Sequence, residues 1–208
     1  LATSITNFAA ALDIELDENG CTGINVSGTN DLAPLDEQAK LLMDLCPEAK
    51  NIGILYCSAE INSVYQAEHI KPYFEEAGIS YKDYSFADSN DLQAVVSMAA
   101  QSCDAIYIPT DNTAASNAEL IDAVTGTAGI PVITGDDGTC RGCGLATFSV
   151  DFYAIGHRAG EMAYEILENG ADPAALPIED PQVLNRVYNE RIAQNLGYEF
   201  GEEYTPLQ

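Results

Sequence analysis

Short apolar runs bounded by polar clusters alternate along this chain with apolar stripes at helical spacing. The clearest unit lies between Asn51 and Gly78. Ile52 to Tyr56 is an apolar run with polar flanks and reads as a strand buried on both faces. A small polar loop, Cys57 to Ile61, is followed by Asn62 and Ser63, two residue types suited to capping a helix N-terminus. Ala67, Ile70, Phe74 and Ala77 then recur at helical spacing, and Gly78 supplies a stop. Pro72 falls inside that pattern and predicts a kink or a split, and the helix is kept across it.

The same alternation extends in both directions. Leu1 to Ile5 predicts a strand, Asn7 to Leu12 a short helix or turn, and Thr22 to Val26 a strand broken by the segment Ser27 to Asp31. Pro34 opens a helix with Leu35, Ala39, Leu42 and Met43 on one face, and Pro47 ends it. Strands are predicted at Tyr81 to Phe86, Ala105 to Ile108, Ile130 to Thr134, Leu145 to Val150 and Val183 to Val187. Helices are predicted from Asn90 (stripe Leu92, Val95, Val96, Ala99), over Ala114 to Val124, after Asp151 (stripe Ile155, Ala159, Met162, Ile166) and over Glu190 to Leu196, before a polar tail. Asp172 to Pro177 reads as a linker. Strands alternating with helices at this spacing imply an α/β protein built on a parallel sheet with right-handed crossovers.

Three strand ends carry polar clusters. They are Ser58-Ala-Glu60-Ile-Asn62-Ser63, Thr110-Asp111-Asn112-Thr113 and Gly135-Asp136-Asp137-Gly138. In an open parallel sheet such loops leave on one edge, where they can converge on one ligand. A helix beginning at Asn62 and Ser63 would offer free N–H groups to a carboxylate, with Gln66 one turn on adding a hydrogen bond. Asp111, Asp136 or Asp151 could meet an ammonium group. Each cluster also reads as an ordinary cap or turn, and the convergence of the three is what points to a site.

Charge narrows the partners. With 33 acids against 8 bases the formal net charge is -25, which disfavours nucleic acid and anionic lipid. The chain carries no run of about 18 apolar residues that would span a bilayer. GxxxxGK[ST], strand-linked GxGxxG, HExxH and GxSxG motifs are all missing, so no enzymatic activity and no cofactor are expected. His69 and His157 fall on predicted helices and read as surface or partly buried residues. Of the six cysteines, Cys57 and Cys103 flank apolar strands as small hydrophobes. Cys140-Arg-Gly-Cys143 makes a poor metal site for want of further ligands, and predicts a local disulfide or two free thiols in a loop.

Four runs, NIGILYCSAEINSVYQ, DAIYIPTDNT, IPVITGDDG and GLATFSVDFYAIGHRAGEMAYEIL, together resemble the ABC transporter substrate-binding proteins of the tryptophan/tyrosine-type group, which have the type I periplasmic-binding fold. The resemblance extends from Leu1 to about Gly197. It implies two α/β lobes joined by a hinge of crossing strands, with a small amino-acid-like and possibly aromatic solute held between them without catalysis. It further implies an extracytoplasmic location, as a cell-surface lipoprotein or in the periplasm, and an ABC permease as partner. A sensor or regulator ectodomain of the same fold is the alternative.

On this mapping residues 1–29 form the end of the first lobe and the first crossing, 30–143 the second lobe, 144–180 the return to the first lobe, and 181–208 the final crossing and tail. The family's first βα units are missing ahead of Leu1, so the first lobe is expected to be incomplete, and an exposed sheet edge could support a homodimer. The residues expected to bind solute are Thr6, Ser58, Glu60, Asn62, Ser63, Gln66, Asp111, Asn112, Asp136 and Asp151, with Phe8, Tyr65 and Tyr153 as candidates for an aromatic wall. Asn7 stands where many relatives place an acid, which moves the expected ammonium contact to Asp111 or Asp136.

Overall fold

The computed structural model describes residues 1–207, which fall into two compact units. The smaller comprises Leu1–Ala33 and Val150–Leu184, the larger Pro34–Ser149 and the chain from Asn185 onward.

The larger unit is built on a seven-stranded sheet. Its strands are β3 (Asn51–Cys57), β4 (Ser80–Phe86), β5 (Ala105–Ile108), β6 (Val132–Thr134), β7 (Ala146–Val150), β8 (Leu184–Asn189) and β9 (Thr205–Leu207), in the order β4-β3-β5-β6-β7-β8-β9. β3 pairs in parallel with both β4 and β5, and the parallel ladder continues through β6 to β7. Because β4 lies on one side of β3 and β5 on the other, the strand order reverses at β3. In an open α/β sheet such a reversal splays the following loops to opposite faces and leaves a crevice beyond the strand ends.

β3 is buried from Ile52 to Cys57, as its continuous apolar run predicts. On one face α4 (Ser89–Ser102) and α6 (Ala118–Ala128) press Leu92, Val96, Ala99 and Ile121 onto Leu55, Phe86, Ile106 and Ile108. Elsewhere α2 (Leu35–Leu45) packs against α3 (Ile61–Glu76), each with an apolar stripe fully buried: Ala39 and Leu42 on α2, Ala67, Ile70 and Phe74 on α3. Burying one such large apolar side chain contributes about 1.5–3 kcal/mol.

In the smaller unit β1 (Ala2–Ile5) pairs in parallel with β2 (Gly28–Asn30), and α8 (Phe152–Asn169) packs on both strands. Gly28 is obligatory there, because its φ is +158° and a Cβ would lie 1.9 Å from the carbonyl oxygen of Ala2. Arg158 of α8 makes a bidentate pair with Glu179 at 2.6 and 2.7 Å and also reaches Glu161 and Glu165. Ala33, Val150 and Ile155 form the small core.

Several expectations are corrected. Thr22 to Val26 is not a strand: the Thr22 hydroxyl donates to the Val26 carbonyl and curls the segment, and the strand forms at Gly28–Asn30, where Gly28 can approach β1. The helix itself is borne out across Pro72, where α3 continues as one element held by its buried stripe. The predicted Ala114 to Val124 helix is two helices, α5 (Asn112–Ser116) and α6, parted at Asn117, whose side chain turns back to the Thr113 carbonyl. Cys140 and Cys143 lie in no loop. They sit on α7 (Asp137–Cys143), fully buried, as free thiols. Burial pushes the Cys140 thiol up to about 12 and raises the Cys143 thiol well above its ordinary value, so both stay protonated and inert.

Strand β7 pairs with β6 in the sheet of the larger unit, and the second segment of the smaller unit begins at Val150. The polar tail carries β9, set beside β8 by Phe200, which stacks on Tyr188 at 4.3 Å and meets Tyr204 edge-on at 4.9 Å. Among the described residues no helix is long and apolar enough to cross a membrane.

Candidate ligand-binding site

The loops after β3, β5 and β6 meet at the carboxyl edge of the larger unit, and Thr110 is where they join. Its carbonyl accepts hydrogen bonds from Asn62 Nδ2 at 2.8 Å and Ser63 Oγ at 3.2 Å, while its N–H donates to Gln66 Oε1 at 3.1 Å. Asn62, Ser63 and Gln66 share one face of α3 because they are spaced at i, i+1 and i+4. That face grips the neighbouring loop. Gln66 is 2% exposed, and its Nε2 has no protein partner.

Asn62 and Ser63 were expected to cap α3; they do not. The helix starts one residue earlier, with Glu60 in the cap position and no side-chain capping bond. The Glu60 side chain crosses to α5, where Oε2 accepts from the Asn112 N–H and Nδ2 and Oε1 accepts from the Thr113 N–H and Oγ1, at 2.6–3.0 Å. Burial pushes the Glu60 carboxyl up, but the donors on Thr113 and Asn112 outweigh it and hold the group below its ordinary value.

Asp111 is buried at 1% exposure and caps α5. One oxygen accepts from the Ala114 N–H at 2.8 Å, the other from the Cys57 N–H at 2.6 Å, which ties the β5 loop to the end of β3. Both carboxylate oxygens of Asp111, expected to meet an ammonium group, thus accept from backbone donors. Burial raises its pKa, partly offset by those same hydrogen bonds. Asp136 caps α7, accepting from the N–H and hydroxyl of Thr139, both at 2.8 Å, and burial raises its pKa as well.

Ser58 is exposed, with its hydroxyl donating to the Phe86 carbonyl, and Asn112 is exposed beside it in the cluster. In the smaller unit the Thr6 hydroxyl donates to Asp31 Oδ1 at 2.9 Å, with both residues buried, while Asp151 caps α8 through the Ala154 N–H. Burial raises the Asp31 carboxyl, opposed by the Thr6 hydrogen bond. Of the aromatic candidates, Phe8 is buried, Tyr65 stacks on His69 at 3.9 Å, and Tyr153 is 83% exposed. Among the described residues no cluster of His, Cys, Asp and Glu could hold a metal.

Sequence reasoning placed Thr110 and Gly135 in the converging clusters without singling them out as the point of contact, and it missed Gln38 and Tyr107. A Cβ on Gly135 would lie 2.5 Å from the Thr110 nitrogen, so the β5 and β6 loops touch backbone to backbone. Gln38, on α2, reaches the Gly135 carbonyl from behind. A glutamine on the buried face of a predicted helix, beside Leu35, Ala39 and Leu42, was the one available signal.

The three buried aspartates make a pH dependence. A carboxyl raised in the folded state stabilises below its unfolded value near 4, and that contribution is lost as pH rises through the folded value. Glu60, held low, acts in the opposite sense, its contribution present above about 4.3 and lost on acidification. Asp104 and Glu179 are held low as well, but between pH 5 and pH 7 the pH is above the unfolded values of all three lowered groups, and they add little slope. Asp31, Asp111 and Asp136 therefore set the sign, and acidification also relaxes the repulsion of a chain at -25. The urea midpoint is expected to be higher at pH 5 than at pH 7; a lower midpoint at pH 5 would contradict these assignments.

A parallel sheet whose order reverses at β3, with polar loops fused beyond the reversal, defines a ligand-binding α/β scaffold of the type I periplasmic-binding class. The chain belongs to the ABC transporter substrate binding protein family, whose model matches residues 6–205. That family consists of solute-binding proteins rather than catalysts. A tyrosine-binding protein of Clostridioides difficile is 30% identical over 168 residues, 81% of this chain and 48% of that protein. A Streptococcus pneumonia ABC domain solved in complex with L-Trp superimposes with a TM-score of 0.88 at 30% identity, over 98% of this chain and 71% of the other. A ligand-free, open substrate-binding protein with adhesive properties from Clostridium difficile gives a TM-score of 0.79 at 29% identity, over 100% and 70%. The chain spans about half the length of the curated relatives it matches, 48% and 49%.

Proposed function

We propose that this protein is the solute-receiving component of an ABC importer, binding an L-amino acid, with an aromatic side chain favoured, and releasing it unchanged to a permease. The observation that carries the reading is the fusion of three strand-end loops through Thr110 at the sheet's reversal, in a chain of the substrate-binding family. The aromatic preference draws on the relatives, one a tyrosine-binding protein and one solved with L-Trp.

Within the larger unit the solute would rest on the accessible side of the cluster, hydrogen-bonded by Ser58, Asn62 and Asn112, with the ionised Glu60, and with Asp136 beside the same edge, favouring its ammonium end. Ser63, Gln66 and Asp111 support those groups from behind. Thr6 and Asp151 are proposed as solute contacts within the smaller unit. The location that fits is extracytoplasmic, as a lipoprotein or a periplasmic protein.

A melting-temperature screen against the twenty amino acids, a sugar panel and a nucleoside panel tests the reading. A rise with L-tyrosine or L-tryptophan is expected, of the size mass action gives for a specific ligand: about 2.7 kcal/mol of added stability at a hundred times Kd. A rise with a sugar or nucleoside and with no amino acid would overturn the amino-acid assignment.

A further inference from the structure

Gln38 lies on α2, is fully buried, and is the polar exception on that helix's apolar face. Its amide spans three strands. Oε1 accepts from the Tyr107 hydroxyl of β5 at 2.6 Å, and Nε2 donates to the Gly135 carbonyl just after β6 at 3.1 Å and to the Phe148 carbonyl of β7 at 3.0 Å. Two carbonyls demand both amide hydrogens, and the phenol supplies the hydrogen for Oε1, so the amide has one orientation only. Tyr107 is itself fully buried, and burial raises its pKa, so it remains a donor throughout the physiological range.

Gly135 is the residue on which the β6 loop rests against Thr110, and Asp136 beside it caps α7. Its N–H is already fixed, donating to the Ile108 carbonyl at 2.7 Å. With the N–H held by β5 and the carbonyl held by α2, this residue cannot turn without breaking a buried bond. We propose that Gln38 is the positioning residue of the ligand-binding edge, setting the Gly135–Asp136 turn against Thr110 and so the geometry offered to the solute. The proposal rests on the functional reading above for its solute, while its structural half stands on the loop alone.

The experiment compares Gln38→Leu and Gln38→Glu with the wild-type chain by amide hydrogen exchange and by titration with L-tyrosine and L-tryptophan. Leucine keeps the volume and removes every hydrogen bond. Exchange at Gly135, Thr139 and Cys140 is expected to quicken at least about tenfold relative to the β3 amides of Ile52 to Tyr56, the effect of orphaning buried polar groups. Affinity should fall about tenfold or more at a temperature where the variant is fully folded.

Glutamate keeps the acceptor for Tyr107, offers no hydrogen when ionised and one when protonated. The affinity deficit of Gln38→Glu should therefore shrink as pH is lowered from 8 to 5, a recovery that a bulk packing role would not produce. This variant also keeps the proposal testable should Gln38→Leu fail to fold. Exchange that quickens evenly across β3 and the loop, or a loosened loop with unchanged affinity, would overturn the proposal. If the wild-type chain binds neither amino acid, the functional reading fails, and the exchange pattern alone decides whether Gln38 positions the loop.

Discussion

One methyl group at position 135 is expected to cost more than any other conservative change in the chain's candidate site. In Gly135→Ala the Cβ would stand 2.5 Å from the Thr110 nitrogen and 2.8 Å from the Pro109 carbonyl carbon. Both are backbone atoms, so no rotamer change relieves the contact. The strand must shift, and it is held by β6–β5 pairing on one side and by Gln38 on the other. Overpacking of a dense interior costs about 1–3 kcal/mol, and a rigid backbone partner places this case at about 3 kcal/mol. Urea unfolding of the variant measures it. A loss under about 0.5 kcal/mol, the scatter of an ordinary surface substitution, would show that the two loops are not seated on one another.

Asp111→Ala comes next. The substitution removes the cap of α5 and leaves the buried Cys57 N–H without an acceptor. Loss of the cap costs about 1 kcal/mol and an orphaned buried donor about 1–3 kcal/mol more, so a loss near 3 kcal/mol is expected. Asn at this position keeps one side-chain acceptor and should recover part of it. The loss should appear in the absence of any solute. If Asp111→Ala instead unfolds at the wild-type urea concentration and only its affinity for an amino acid falls, then the carboxylate faces the solute after all.

The contrast between those two residues shows what was legible in the sequence. β3, α2, α4, α8 and α9 (Glu190–Leu196) are set by hydrophobic period, and each forms within a few residues of its predicted place. The convergence of the loops was also legible, since parallel topology brings strand ends to one edge. The work each polar side chain performs was not. Asn62, Ser63 and Gln66 carry donors and acceptors that suit a ligand or a neighbouring peptide equally well, and only the position of Thr110 selects the peptide. Glu60 caps a helix 52 residues further along the chain rather than its own, a pairing no local pattern encodes.

α7 was missed because its two glycines and paired cysteines mimic a turn. The helix forms because Thr139, Cys140 and Cys143 bury one face while Asp136 caps its start. Tyr107 was hidden for the opposite reason, sitting inside a correctly predicted strand where an apolar role is the default, and Gln38 showed only as a polar residue on an apolar helix face.

At the polar edge of the larger unit Asp111 and Asp136 brace helix starts and Asn62, Ser63 and Gln66 hold Thr110, and this is the edge proposed to receive the solute. The central claim is that an amino acid binds such an edge and leaves unaltered. Isothermal titration of L-tyrosine and of L-tryptophan into the protein at pH 7, with recovery of the ligand for mass analysis, tests it most directly. Saturable one-to-one binding of at least one of them is expected, with the amino acid recovered intact. Heat from a sugar or nucleoside alone, or a recovered amino acid that has been chemically changed, would contradict it.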